Sequence, residues 1–156
     1  MEVLITLVIL AVGLLGLASL QASGMKLNHS AYLRSQAQLL AYDIVDRMRA
    51  NRTEAMNTNN YQQDLNTDPA SPSTNCATST CTEAQMAAFD LFEWREIVDE
   101  YLPQGEGSVT IRALGDGGRL YIIDIRWLDD RNVKVTATDP SSYNKRYQTF
   151  QFKTDL

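Results

Sequence analysis

Histidine and cysteine are scarce in this 156-residue chain: His29 is the single histidine, and Cys76 and Cys81 are the two cysteines. A His- or Cys-rich metal site is thereby excluded, and so is any catalytic triad that His29 does not serve. Basic residues are short as well. Lys and Arg total 14 against 19 Asp and Glu, leaving a net charge of -5. Nucleic acid is therefore not expected as the main partner, because phosphate binding draws on clustered Lys and Arg. The glycines Gly105, Gly107, Gly115, Gly117 and Gly118 form neither a G-x-G-x-x-G fingerprint nor a P-loop leading into a helix. Asp116, Asp129 and Asp130 lack the spacing of a calcium loop and read as turn residues. Glu93, Glu96, Asp99 and Glu100 read as the solvated face of a helix, and His29 as a peripheral polar contact. No enzyme is expected, and no cofactor or metal.

What the chain does have is an uncharged run over 3–20, 18 residues long. At roughly 1.5 Å per residue such a helix rises about 27 Å, enough to cross a bilayer. A cleaved secretory signal needs a basic segment before a shorter apolar one. Here the preceding residue is Glu2, and no Lys or Arg occurs before Lys26. The run therefore reads as an uncleaved anchor. Lys26 alone would point its side to the cytoplasm by the positive-inside rule, but the cysteine pair points the other way.

No proline and one glycine, Gly24, occur over 21–54. Leu33, Ala37, Leu40, Ile44 and Met48 recur at helical spacing, widened by Ala41 and Val45, while Arg34, Gln38, Asp46 and Arg49 mark the opposite face. One continuous helix over about 2–52 is expected, lipid-soluble all round in its first half and amphipathic in its second. About 76 Å long at roughly 1.5 Å per residue, it exceeds a small domain, so half of it is expected to protrude.

The string Glu2-Val-Leu-Ile-Thr-Leu-Val-Ile-Leu-Ala-Val-Gly-Leu-Leu-Gly-Leu-Ala-Ser-Leu-Gln21 resembles the N-terminal helix of type IV pilins. The Gly13-Leu-Leu-Gly16 element is similar to that of PilV-type minor pilins. So are Phe89-Asp-Leu-Phe-Glu-Trp94 with Leu102-Pro-Gln-Gly-Glu-Gly107, and Ile125-Arg-Trp127 with the acidic turn behind it. Major pilins usually carry a helix-breaking proline where this chain has only glycines. The resemblance implies a basic leader removed after glycine by a prepilin peptidase, followed by methylation of the new terminal amine. It implies an assembly role for Glu2, which would pair with the amine of a neighbouring subunit. A carboxylate in an apolar helix costs a few kcal/mol at depth unless a cation meets it, and a helix N-terminus favours a nearby negative charge by about 0.3–1 kcal/mol. The plain alternative for Glu2 is an interfacial charge at the end of an ordinary anchor. Met1 directly precedes Glu2, so the leader and the first mature residues are expected upstream of a start called too late, or trimmed away.

Over 51–82, 16 of 32 residues are Asn, Ser or Thr, and Pro69 and Pro72 fall there too; the segment reads as loop. Within it, Cys76 and Cys81 have C-x4-C spacing, unlike a C-x-x-C redox motif or a zinc site. A disulfide is the better reading, contributing about 2 kcal/mol and implying an oxidising, periplasmic compartment; two free thiols are the alternative. Thr82-Glu-Ala-Gln85 reads as a capping box opening a helix with Ala87, Leu91, Trp94, Val98 and Tyr101 on one buried face. Leu102-Pro103 ends it. Four strands are expected, over 108–114, 119–128, 133–138 and 145–153, with Val109, Ile111, Ala113, Tyr121, Ile123, Ile125 and Trp127 facing inward and Asp124 and Arg126 outward, joined as an antiparallel meander.

The expected fold is α+β and pilin-like: a long N-terminal helix, half transmembrane, on a four-stranded antiparallel sheet with one short extra helix. Residues 2–24 are expected to form the transmembrane and assembly half, and 25–156 a periplasmic domain. The resemblance implies a non-enzymatic minor pilin that primes assembly or sits at the pilus tip. Its partners would be other minor pilins, the major pilin and, before assembly, inner-membrane lipid. A minor pseudopilin of a type II secretion system and a static membrane-anchored periplasmic binding domain are the alternatives.

Overall fold

The computed structural model describes residues 2–115, 117–129 and 147–156. The chain divides into two compact units, Met1–Arg34 and Ser35–Leu156. The first unit is helix throughout its described residues, the beginning of α1 (Glu2–Ala50). Its 49 residues contain no proline, so nothing removes a backbone donor from the ladder. The helix ends at Ala50, where the Asn51 amide still reaches the Arg47 carbonyl at 3.1 Å before the chain turns into α2 (Arg52–Asn57).

In the second unit α1 is followed by α2, α3 (Glu83–Tyr101) and three strands, β1 (Glu106–Ala113), β2 (Arg119–Leu128) and β3 (Tyr147–Thr154). The capping box at the start of α3 is formed. The Gln85 amide donates to the Thr82 hydroxyl at 3.3 Å, and the Thr82 amide donates to Gln85 Oε1 at 2.9 Å. Two otherwise orphaned amides are thus satisfied. The α+β pilin-like class is as expected, with two differences. Among the described residues the antiparallel sheet has three strands, not four, in the order β1-β2-β3. The strand expected over 133–138 lies outside the described residues, as do the turns assigned to Asp116 and Asp130. Beside β2 stands β3, with Ile123 opposite Phe152 and Ile125 opposite Phe150. The second difference is α2, where a loop was expected.

The core is built from three faces. The helical stripe Leu33, Ala37, Leu40, Ala41, Ile44, Val45 and Met48 is buried, while Arg34, Gln38, Asp46 and Arg49 are exposed, as their periodicity requires. From α3 come Ala87, Leu91, Trp94 and Val98, and from the sheet Val109, Tyr121, Ile123, Ile125 and Trp127. The Trp94 indole donates to the Leu40 carbonyl at 2.8 Å, giving a buried N–H its partner. Tyr42 on α1 meets Phe152 on β3 edge-on, with ring centres 5.0 Å apart. Ala113, expected inside, is exposed and Ile111 half-buried, because β1 runs out toward its turn there. Tyr101 is 54% exposed, whereas Leu102 is buried. The helix ends at this point and Leu102 is extended at the cap; the change of backbone direction turns Leu102 inward and leaves Tyr101 out.

Candidate assembly segment

Two regions carry candidate functional residues: the apolar start of α1 and the polar surroundings of α3. At the first, Glu2 stands exposed in the first turn of α1. Behind it, an 18-residue window has a mean hydropathy of 2.8 and none of it is buried within the protein. Val3, Leu10, Leu15 and Leu20 are each more than half exposed. Thr6, the one hydroxyl early in the run, donates back to the Val3 carbonyl at 2.9 Å, which hides its polarity from an apolar surrounding. A Cβ built on Gly13, Gly16 or Gly24 would meet nothing within 4 Å, so these glycines present bare backbone, as close helix packing in lipid favours. Large apolar surface of this extent is left uncovered only where lipid or another helix covers it.

Cys76 and Cys81 lie at disulfide distance, with Cα atoms 5.6 Å apart, inside the range a disulfide bridges. The segment around them is more structured than its Asn-, Ser- and Thr-rich composition suggests. Tyr61 is fully buried, and Gln63 forms an antiparallel bridge to Val109 on β1, with both backbone bonds at 2.9 Å. His29 is exposed on α1.

Sequence reasoning missed a buried polar network. Tyr61 donates its hydroxyl to Asp90 Oδ2 at 2.6 Å. Arg47 pairs with Asp43 at 3.0 Å, Glu93 at 2.9 Å and Asp90 at 3.5 Å. Burial pushes the Tyr61 phenol up, reinforced by the Asp90 carboxylate that accepts its hydrogen bond. Burial also raises Asp90 above the usual carboxylate range, partly offset by Tyr61 and Arg47. For Arg47 burial acts downward, but the pull of Glu93, Asp43 and Asp90 outweighs it, and the net shift is up. Glu93 is consequently not on a solvated face as expected: it is half-buried and paired, while Glu96, Asp99 and Glu100 are exposed. One signal was available. Asp90 lies three residues after Ala87 and four before Trp94, on the buried face, and a carboxylate there demands a partner.

Among the described residues no group of three or more His, Cys, Asp or Glu is arranged to hold a metal. The described residues form one long helix, apolar and long enough at its start to cross a membrane, followed by an α+β domain. Residues 19–92 match the family model for Tt1218-like proteins, described as type IV pilin Tt1218. The match spans just under half of the chain and makes it similar to type IV pilins over those residues, with an α+β architecture of the pilin-like kind. No curated protein and no solved structure matches the chain. Type IV pilins are in general structural and non-enzymatic, and they associate with other pilus components. The apolar helix fits a membrane-anchored pilin.

Proposed function

We propose that the protein is a minor pilin that takes part in priming or capping a type IV pilus. The observation that carries this reading is the start of α1: Glu2 in the first turn, then a fully uncovered apolar helix. In the inner membrane, lipid covers residues 2–24; on assembly, sister helices replace the lipid. Exchanging one apolar surrounding for another costs little, so packing and polar pairing decide the transfer. Glu2 supplies the polar pairing, meeting the terminal amine of a neighbouring subunit and offsetting the cost of its own charge in an apolar bundle. The domain over 25–156 faces the periplasm, where Cys76 and Cys81 are oxidised to a bridge. Its partners are other minor pilins and the major pilin, and a prepilin peptidase prepares its N-terminus.

The test is mass spectrometry of the N-terminus in sheared surface filaments and in membranes, alongside a Glu2→Ala variant scored for piliation. A methylated residue a few positions upstream of Glu2, present in the sheared fraction, is expected, with piliation lost in Glu2→Ala. A chain that stays in the membrane unprocessed, or a Glu2→Ala strain piliated as wild type, overturns the proposal.

A further inference from the structure

Between α3, the segment around Pro69 and the start of β1 lies a cleft of about 540 Å³ within the second unit. Its size is that of a site for a small molecule or for a few residues of peptide. Arg95 lines it and is 8% exposed. Its Nη2 donates to Asp68 at 2.9 Å, while Nε and Nη1 are buried without a hydrogen-bond partner. The one anchor of this guanidinium is thus a carboxylate that is itself 94% exposed. Buried donors are rarely left unmatched, and each one needs an explanation. Packing does not require a guanidinium here, since an apolar side chain of similar volume fills such a place at lower cost.

The rest of the cleft is acidic. Glu96 and Asp99 line it from α3, one helical turn apart and both exposed. Among the described residues neither has an ion-pair partner, in contrast to Asp68, held by Arg95, and Glu106, held by Arg126. Phe92, Leu65 and Pro69 supply apolar wall. The cleft thus gathers a buried guanidinium with two unmatched donors, two carboxylates without an ion-pair partner and apolar wall.

We infer that this cleft docks a basic protein segment from a partner. A Lys or Arg of that segment reaches Glu96 and Asp99 with its charge, its aliphatic stem lies along Phe92, Leu65 and Pro69, and a main-chain oxygen accepts from Arg95. The fit follows from how basic side chains distribute their two halves, stem on apolar surface and head in a polar setting. A free anion is disfavoured by the two unpaired carboxylates, and an apolar ligand would leave both the donors and the carboxylates unmatched. Charge complementarity of this kind sets specificity and association rate more than raw affinity. The inference concerns the folded domain and does not rest on its assembly into a filament.

The test titrates the full-length chain in detergent micelles with the peptide acetyl-Gly-Lys-Gly-amide, and with the same peptide carrying norleucine in place of lysine, read by NMR chemical shifts. The lysine peptide is expected to shift the resonances of Phe92, Arg95 and Asp99 saturably, and the norleucine peptide to bind at least tenfold more weakly. Glu96→Gln with Asp99→Asn, two exposed substitutions that leave the core untouched, is expected to weaken the lysine peptide at least tenfold. It should also flatten its salt dependence. Equal binding of the two peptides, no saturable shift for either, or unchanged affinity in the double variant overturns the inference.

Discussion

The two halves of α1 obey the same backbone geometry and opposite surface rules. Over 3–20 every residue is exposed, although nearly all are apolar. From Leu33 onward apolar residues are buried at every helical repeat, and the charges point away. A soluble domain needs only a stripe, because one face of a helix contacts its core. A helix apolar on all sides needs apolar surroundings on all sides, which a domain of this size does not provide. The difference fits one uninterrupted helix that serves two solvents, so that a substitution's consequence depends on which half its position lies in.

The sharpest way to break that comparison is to truncate one large side chain packed beside the amphipathic half and one within the apolar half. Trp94→Ala removes a fully buried ring packed against the amphipathic half, together with its bond to the Leu40 carbonyl. A loss of about 3–5 kcal/mol is expected, with the carbonyl left short of one donor. Leu10→Ala, at a position 61% exposed, is expected to leave domain stability within about 0.5 kcal/mol. Denaturant unfolding in micelles, followed by tryptophan fluorescence, measures both. Similar losses in the two variants would mean that the first half of α1 also contributes to the domain core.

Next in size is the buried polar network beside the amphipathic half. Tyr61→Phe deletes the 2.6 Å bond to Asp90 and leaves a buried carboxylate one donor short, a loss of about 1.5–3 kcal/mol for a bond to a charged group. The pH dependence has a definite sign. The Tyr61 and Tyr121 phenols are raised above their usual value of 10.0 by burial. Their contribution is therefore complete below about pH 10 and drains away as pH rises further, because the unfolded chain ionises first. Asp90 is raised too, so it favours the fold in acid and loses that contribution as pH climbs through its folded value. It does not drive acid unfolding. Stability of the wild type should fall between pH 10 and 11 more steeply than that of Tyr61→Phe; parallel slopes would show that Tyr61 ionises as readily in the folded protein as in the unfolded one.

The legible parts of the structure were those written in local period. Leu33 to Met48 repeat at helical spacing, Thr82 and Gln85 sit at capping-box spacing, and 119–128 alternates; all three became what they predicted. The illegible parts depend on partners distant in sequence. Tyr61 and Asp90 are separated by 29 positions, and Arg47 and Glu93 by 46, so no window on the sequence joins them. The cleft beside Arg95 is invisible for the same reason: its lining comes from α3, from the segments before and after it, from β1 and from β3. Tyr101 shows a different limit. Helical spacing put it on the core face, yet the chain leaves the helix just there, and periodicity has no knowledge of its own end. The apolar start of α1 was the easiest to read, because a long apolar helix is recognised by composition and length alone.

The smallest effects come from glycines, and here the two regions should differ in sign. A Cβ on Gly107 would meet Trp94 Cη2 at 2.4 Å, closer than any carbon contact, and the indole is itself fixed by the core and by its bond to Leu40. Gly107→Ala therefore forces the strand or the ring to shift, at about 1–3 kcal/mol. A Cβ on Gly13 meets nothing within 4 Å, and φ there is already helical. Gly13→Ala accordingly gains helix propensity, up to about 1 kcal/mol, without any contact being made or lost. Amide hydrogen exchange in micelles reads both: faster exchange across β1 and β2 in Gly107→Ala, slower exchange around position 13 in Gly13→Ala. If Gly13→Ala also reduces incorporation into filaments while leaving the monomer more protected, the bare backbone at that position serves contact between helices. If incorporation is unchanged, glycine there is tolerated because lipid and neighbouring helices place no demand on that point of the surface.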